Sequence, residues 1–177
     1  MTSRMTAVPA ASFAPNRLQL QLEQVDEFPE FLRPWVRNLV LRRAVPFTKT
    51  ARVEFVEMSP HRVEVRLPNV QRVQNHIGGI HASAMNLLAE TATGMAVGLN
   101  VRDDCVPLAK DMKMAFRQRA KGALRAVAVL TDAQRQAMRD ADKGELQVPV
   151  TVTDESGAEP VQCEFTWAWV PSSRPAR

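Results

Sequence analysis

The sequence is poor in cysteine, with only Cys105 and Cys163 among its 177 residues. Two cysteines so far apart do not suggest a disulfide framework, and they lack the spacing of a metal site. This scarcity excludes the class of small secreted domains held together by disulfides. A reducing cytoplasm is therefore the expected location, and no metal is expected.

Long apolar runs are also missing, so no segment of the sequence is predicted to span a bilayer. The first residues are rich in Ala, Pro and Ser and show no sustained apolar stretch, which argues against a secretory signal. No acidic residue precedes Glu23. A transit peptide is the alternative interpretation of this segment.

A strong charge imbalance is absent as well. The net charge is +4 with a pI near 9.6, and the basic residues are spread along the chain rather than gathered in one stripe. This pattern permits a nucleic-acid partner but gives no argument for one, so none is expected. It suits a phosphorylated small molecule equally well.

The length fits one domain. Residues 1–16 lack periodicity and are predicted to be a disordered tail. Residues 17–171 are predicted to form a single domain, with a helical extension over 17–45 and a core over 51–170. Residues 172–177 are predicted to be a second tail.

Within the core, apolar and polar residues alternate in several short runs, and one long run of small and apolar residues separates the first strands from the rest. Antiparallel strands around a single buried helix predict the α+β class. A short polar helix is expected over 132–143, capped by Thr131 or Asp132. Beyond the first hairpin, the predicted strands are Lys113–Arg119, Leu124–Leu130, Gln147–Thr153 and Val161–Val170.

The N-terminal extension is predicted to be helical in pieces, with Phe31, Trp35 and Leu39 spaced for one helix face. Arginines lie among these apolar positions, and we interpret them as a solvated helix face; a basic amphipathic helix that touches a membrane is the alternative. The extension is expected either to cover a sheet edge or to act as a lid on a groove. The arginines concerned are Arg33, Arg37, Arg42 and Arg43.

The distinctive segment runs from Asn75 to Glu90. It contains a Gly-Gly pair and His81, and it continues as a helix of small residues. Glu90 is the only acidic residue in this stretch, and a lone carboxylate in an apolar helix is costly unless it is satisfied or functional. Burial would raise the pKa of Glu90, which suits a general base. A structural carboxylate bonded to backbone or to a partner chain is the alternative.

This segment resembles the central-helix motif of hotdog-fold acyl-CoA thioesterases of the phenylacetate-degradation type. Asn75 and His81 match the Asn and His of that motif. Ala82-Ser83 replaces its Gly-Gly, and Ala89-Glu90 replaces its Ala-Asp. The likeness covers about residues 45–170 and is closest to a poorly characterised branch that keeps the Ala-Glu ending.

The resemblance implies a hotdog fold, in which a bent antiparallel sheet wraps around one long helix, and it implies hydrolysis of an acyl-CoA thioester. Glu90 would be the base or the nucleophile, and the helix-start amides of Gly79 and Ala82 would form the oxyanion hole. Asn75 would pin the loop or contact the substrate carbonyl. His81 would orient the loop rather than transfer protons. Coenzyme A would enter as part of the substrate, with no separate cofactor.

Several alternatives stay open. Ala82 and Ser83 add side chains where the family has bare backbone, which would narrow the acyl pocket and could leave a non-catalytic acyl-CoA-binding protein. Ser83 as a nucleophile lacks a visible base and orienting group. A dehydratase would need a catalytic His, for which His81 is the candidate.

Two further expectations follow from the resemblance. The family forms homodimers or homotetramers by continuing the sheet, and the same assembly is expected here. A basic cluster at a strand end is expected to contact coenzyme A phosphates, with a charge-protected edge strand as the alternative. The cluster consists of Arg117, Arg119 and Lys121.

A set of four methionines and one phenylalanine could line an acyl tunnel, although ordinary core packing is the simpler interpretation. The set consists of Met85, Met95, Met112, Met114 and Phe116.

Overall fold

The computed structural model describes residues 13–172. The helices are α1 (Arg17–Asp26), α2 (Arg33–Ala44), α3 (Pro46–Ala51), α4 (Ala82–Gly98) and α5 (Asp132–Asp140). The strands are β1 (Glu54–Met58), β2 (Arg62–Leu67), β3 (Cys105–Phe116), β4 (Leu124–Val129), β5 (Gly144–Val148), β6 (Val150–Asp154) and β7 (Val161–Pro171).

The strands form one antiparallel sheet in the order β1-β2-β4-β6-β7-β3, and β5 pairs with β7 beside this path. Helix α4 packs against β2, β3, β4 and β7 on one face of the sheet. Its residues Leu88, Ala89, Ala92 and Val97 are fully buried there. The predicted fold class, an α+β domain with one central helix, is confirmed.

Small residues allow α4 to lie close to the sheet. A Cβ atom on Gly94 would lie 2.7 Å from Cη2 of Trp167 on β7. The indole Nε1 of Trp167 in turn donates a 2.9 Å hydrogen bond to Oγ1 of Thr93. The ring therefore occupies the space that a side chain at position 94 would take.

Two strand predictions were wrong in their bounds. The strand predicted over Gln147–Thr153 is broken at Pro149, which has no N–H for a ladder. Val148 pairs with β7 on one side of the proline, and Val150 pairs with β4 on the other. The strand predicted over Lys113–Arg119 is β3, which begins earlier, at Cys105, and ends earlier, at Phe116. Pro107 does not interrupt it, because a proline is tolerated on an outer strand.

The short helix predicted over 132–143 is confirmed as α5, which begins at Asp132 as expected and ends at Asp140, three residues before the predicted end. Thr131 is its N-cap, and Gln134 completes a capping box. This local signal was sufficient because capping satisfies backbone amides that the helix itself leaves free.

Helix α2 covers the outer edge of β1, as one of the two expectations for the extension proposed. Arg37 Nε donates to the Phe55 carbonyl (3.0 Å), and Asn38 Oδ1 accepts from the Phe55 amide (2.9 Å). Arg42 Nε donates to the Val53 carbonyl (2.7 Å). The interpretation of these arginines as a purely solvated face is therefore wrong for Arg37 and Arg42, which satisfy edge-strand backbone groups.

The opposite face of α2 points outward. Trp35 is 66% exposed and Leu39 54% exposed, and Phe31, just before the helix, is 80% exposed. Leu41 is instead the residue of α2 that enters the core. Apolar spacing marked a helix here, but it did not show which face the sheet would take.

The predicted tails are largely outside the described residues, which exclude 1–12 and 173–177. The prediction that Asn16 belongs to the first tail is wrong. Asn16 is buried and caps α1, where its side chain accepts a hydrogen bond from the Gln19 amide at 3.0 Å. Its Nδ2 donates to the carbonyls of Gly98 and Val101, each at 2.8 Å. Asn16 thus ties α1 to the end of α4. Across residues 13–172, no helix combines the length and the hydropathy that a membrane crossing requires.

Candidate active site

The loop before α4 is held by the side chain of Asn75. Its Oδ1 accepts hydrogen bonds from the amides of Ile77 and Gly79, each at 3.1 Å. Its backbone amide donates to the Gly79 carbonyl at 2.8 Å, and Gly78 turns the chain with a φ of 73°. Asn75 therefore positions this loop, and the Gly79 amide, nominated as an oxyanion donor, is already occupied.

His81 is the N-cap of α4. Its Nδ1 accepts from the Ser83 amide at 3.0 Å, so the ring acts as a hydrogen-bond acceptor at this nitrogen. The next two amides, of Ala84 and Met85, donate to the His81 carbonyl. The Ala82 amide has no acceptor within residues 13–172, and it is exposed. Ala82 is thus the helix-start donor left free, at the positive end of the helix dipole.

Glu90 lies two turns further along α4. Its side chain is half-buried, and burial raises its pKa above the ordinary value for a glutamate. Neither carboxylate oxygen has a hydrogen-bond partner within the described part of the chain. The carboxylate opens into a hollow of about 230 Å³, which is mainly apolar and is lined by Val45, Leu87, Glu90, Thr91, Gly94, Met95, Pro107 and Trp167.

A second hollow of about 200 Å³ lies at the start of α4. Helix α3 supplies one wall, and the loop and helix start supply the other. Leu87 lines both hollows, so they adjoin along one face of α4, and we call them together the α4 groove. The second hollow is lined by Phe47, Thr50, Ala51, Arg72, Val73, Gln74, His81, Ser83, Ala84 and Leu87.

The predicted basic cluster does not line the α4 groove, although one of its members contacts the loop before α4. Arg119 Nη2 donates to the Ile77 carbonyl at 2.7 Å, so this residue supports the loop. Arg117 is engaged with Gln162 through a 2.9 Å bond from Nε, and Lys121 has an exposed side chain. None of the three residues lines either hollow of the α4 groove.

Ser83 lines the second hollow next to His81. However, Nδ1 of His81 already accepts the Ser83 backbone amide. The Ser83 hydroxyl has no hydrogen-bond partner within residues 13–172. The arrangement does not provide the base and orienting group that a serine nucleophile needs.

The predicted tunnel set is divided between the core, the groove and the surface. Met85 is buried in the core, and Met114 packs against the core while remaining partly exposed. Met95 lines the hollow at Glu90. Met112 and Phe116 are exposed on β3. Core packing therefore accounts for Met85 and Met114, and Met95 is the member of the set that reaches the groove.

The sequence did not indicate that α3 would wall the groove. The predicted helical extension ends at residue 45, so Val45 is its last residue and Phe47 lies outside it. Trp167 was expected on a core strand, and it is the absence of a side chain at Gly94 that lets its ring reach the hollow. Neither contact leaves a local signal in the sequence.

A match to a family model identifies the family of this chain. The model described as "Domain of unknown function (DUF4442)" matches residues 34–170. The chain belongs to this family. The matched region takes in α2, α3 and the whole sheet, so the helices that cover β1 and wall the groove are part of what the DUF4442 family shares.

Solved structures show the same fold. A Pseudomonas aeruginosa protein of unknown function, named as a probable thioesterase, superposes with a TM-score of 0.70 at 22% identity, covering 77% of this chain and 95% of that one. A Haemophilus influenzae thioesterase gives 0.62 at 15% identity, with coverage of 80% and 94%. A mutant form of a Pseudomonas aeruginosa thioesterase gives 0.63 at 16% identity, with coverage of 85% and 94%.

These likenesses confirm the hotdog fold of the DUF4442 chain. At such identities the shared property is the fold, and the activity has to be argued from the site. No curated protein matches the chain in sequence.

Proposed function

We propose that this protein hydrolyses an acyl-CoA thioester to a free acid and coenzyme A. The observation that carries the proposal is the Glu90 carboxylate, half-buried and without a partner among the described residues, in an apolar hollow on the helix whose first amide is free. A base for water and a donor for the carbonyl oxygen are the two groups that this hydrolysis needs. The fold shared with proteins named as thioesterases supports the same conclusion.

One chain does not bring the two groups to one carbonyl. Ala82 and Glu90 are eight positions apart on α4, which at 1.5 Å per residue is about 12 Å along the helix axis. The amide has to lie about 3 Å from the carbonyl oxygen, and a base that acts through one water has to lie within about 6 Å of the carbonyl carbon. We therefore infer that Ala82 of one subunit works with Glu90 of another.

The exposed edge of β3 suits such an assembly. Strand β3 pairs with β7 on one side, and on its other side it has no strand among the described residues. Met112 and Phe116 are exposed on it. Continuing the sheet from β3 to a second β3 would cover these side chains and bring two α4 helices together in an isologous homodimer.

In this site the Ala82 amide donates to the thioester oxygen as negative charge develops there. Glu90 takes a proton from a water whose oxygen bonds to the carbonyl carbon. The carbon–sulfur bond then breaks, and the coenzyme A thiolate leaves and is protonated. Direct attack by Glu90 would instead give an anhydride that water opens, with the same products.

Release of free thiol from short, long and aromatic acyl-CoA substrates tests this proposal. Glu90→Gln keeps the shape of the side chain and removes the base, so turnover should fall by about 10²- to 10⁴-fold. Glu159→Gln, at an exposed carboxylate between β6 and β7, is the matched control and should keep full activity.

This assay distinguishes a thioesterase from a non-catalytic acyl-CoA-binding protein. Wild-type turnover that Glu90→Gln removes supports hydrolysis and names the acyl group. Acyl-CoA binding by a folded protein with no turnover of any substrate would refute it, and the protein would then be a non-catalytic acyl-CoA binder.

A further inference from the structure

A third and larger cavity lies between α2 and α3, outside the α4 groove. Its volume is about 370 Å³, compared with about 230 and 200 Å³ for the two hollows of the α4 groove. We call it the basic groove. It is lined by Trp35, Asn38, Leu39, Arg42, Arg43 and Lys49.

Two of the three cations in the basic groove have side chains without a partner among the described residues. The side chains of Arg43 and Lys49 have no hydrogen-bond or ion-pair partner within residues 13–172. Arg42 is held in place through Nε by the Val53 carbonyl (2.7 Å) and through Nη2 by the Arg52 carbonyl (3.2 Å). Three converging cations, two of them unpartnered in the described part of the chain, are the arrangement that phosphate groups favour.

The segment that carries these cations has no carboxylate of its own. Residues 33–52 contain six basic residues and no acidic one. On the adjacent strand, Glu54 pairs with Arg66 and Glu57 with Arg62. The positive potential of the basic groove is therefore not neutralised from the sheet side.

An exposed indole stands beside these cations. Trp35 lines the basic groove with Leu39 as its apolar neighbour. A flat aromatic face next to phosphate-binding side chains is suited to stack a nucleobase, because every base presents a π-face. A free inorganic anion would use the cations but not the ring.

The basic groove adjoins the α4 groove across α3. Phe47 lines the helix-start hollow of the α4 groove, while Lys49 lines the basic groove. Val45, at the joint of α2 and α3, lines the hollow at Glu90, and Arg42 and Arg43 lie in the last turn before it. One elongated ligand could thus occupy both grooves.

We propose that the basic groove binds the phosphorylated adenosine end of the acyl-CoA, with the base on Trp35 and the phosphates on Arg42, Arg43 and Lys49. The inference rests on the proposed thioesterase function for its choice of nucleotide. It places the nucleotide here rather than at the cluster of Arg117, Arg119 and Lys121, where the sequence analysis expected the phosphates.

Calorimetric binding of adenosine 3′,5′-bisphosphate and of coenzyme A tests the site without any turnover. Arg43→Gln and Lys49→Gln, both at exposed side chains, should each weaken binding at least tenfold. Lys143→Gln, at an exposed lysine before β5, is the control of equal charge and should bind as wild type does. Binding should also quench the fluorescence of Trp35, since Trp167 and Trp169 are buried.

The outcomes are distinguishable from those of the thioesterase test. Bisphosphate binding that Arg43→Gln removes supports the basic groove even if no acyl-CoA is hydrolysed. Unchanged affinity and unchanged KM for acyl-CoA in both groove variants would overturn it even if hydrolysis is found. Loss of affinity in Arg117→Gln or Lys121→Gln alone, or binding of wild type to anionic phospholipid vesicles but not to the bisphosphate, would overturn it as well.

Discussion

Replacing Gly94 by alanine tests how closely α4 lies against the sheet. The added methyl carbon would meet Cη2 and Cζ2 of Trp167 at 2.7 and 2.8 Å. Ordinary carbon contacts begin near 3.5 Å, so the indole would have to retreat by about 0.8 Å. It is not free to do so, because its Nε1 is bonded to Thr93 one residue away on the same helix.

The magnitude follows from three opposing effects. Alanine gains about 1 kcal/mol over glycine in a helix interior. Overpacking costs about 1–3 kcal/mol, and loss of the Trp167–Thr93 hydrogen bond costs about 1 kcal/mol. The sum is a net destabilisation of about 2 kcal/mol, which for a chain of this size lowers Tm by about 4–8 °C.

Gly98→Ala is the matched control on the same helix. Its methyl carbon would meet only Leu18 Cδ2, at 3.5 Å, which is an ordinary contact. This variant should be as stable as wild type or gain up to about 1 kcal/mol. Urea unfolding at a fixed protomer concentration measures both variants, since association would shift the apparent stability.

The close approach of α4 to Trp167 is refuted if Gly94→Ala is as stable as Gly98→Ala. A further check uses a Trp167→Phe background, in which the smaller ring leaves room at position 94. There Gly94→Ala should cost less than it does in the wild-type protein, and equal costs would show that the two positions do not interact.

Three other predictions concern titration and the loop. Burial raises the pKa of Glu90, so its ionised form opposes folding, and Glu90→Gln should raise Tm at pH 7 but not at pH 3. For the same reason, kcat/KM of the wild-type protein should fall as the pH drops through that raised pKa. Hydrogen bonds from Ser156 and from the Lys121 amide lower the pKa of Asp154 to about 2. Asp154→Asn should therefore lower the free energy of unfolding by its full amount above about pH 4, and by less as the pH falls toward 2. Urea midpoints at several pH values measure this loss. Asn75→Ala removes two loop hydrogen bonds of about 1 kcal/mol each and should lower acyl-CoA turnover while the far-ultraviolet circular dichroism stays unchanged; unaltered turnover would show that the loop does not position the site.

The residues that could be predicted from the sequence are those whose role depends on their immediate neighbours. Asn75 and His81 bond to amides within four residues, and Thr131 caps α5, so each leaves a short-range pattern. Glu90 stood out because it is a single carboxylate in a run of small residues. These features are local, and the sequence records them directly.

Contacts between distant segments could not be predicted in this way. Trp35 points outward because the opposite face of α2 contacts the edge of β1, where Arg37 and Arg42 donate to backbone carbonyls. The occupied Gly79 amide depends on a side chain four residues earlier that turns back onto it. The start of β3 at Cys105 depends on its place at the rim of the sheet, where Pro107 loses nothing.

Helices α2 and α3 connect the basic groove and the α4 groove through a few shared residues. Arg42 satisfies the Val53 carbonyl at the edge of β1 and also lines the basic groove. Helix α3 then presents Phe47 to the α4 groove and Lys49 to the basic groove. A substitution that loosened α2 from β1 would therefore disturb both grooves at once, because the position of α3 depends on the helix before it. This coupling gives a physical reason for α2 and α3 to belong to the DUF4442 domain rather than to a dispensable leader.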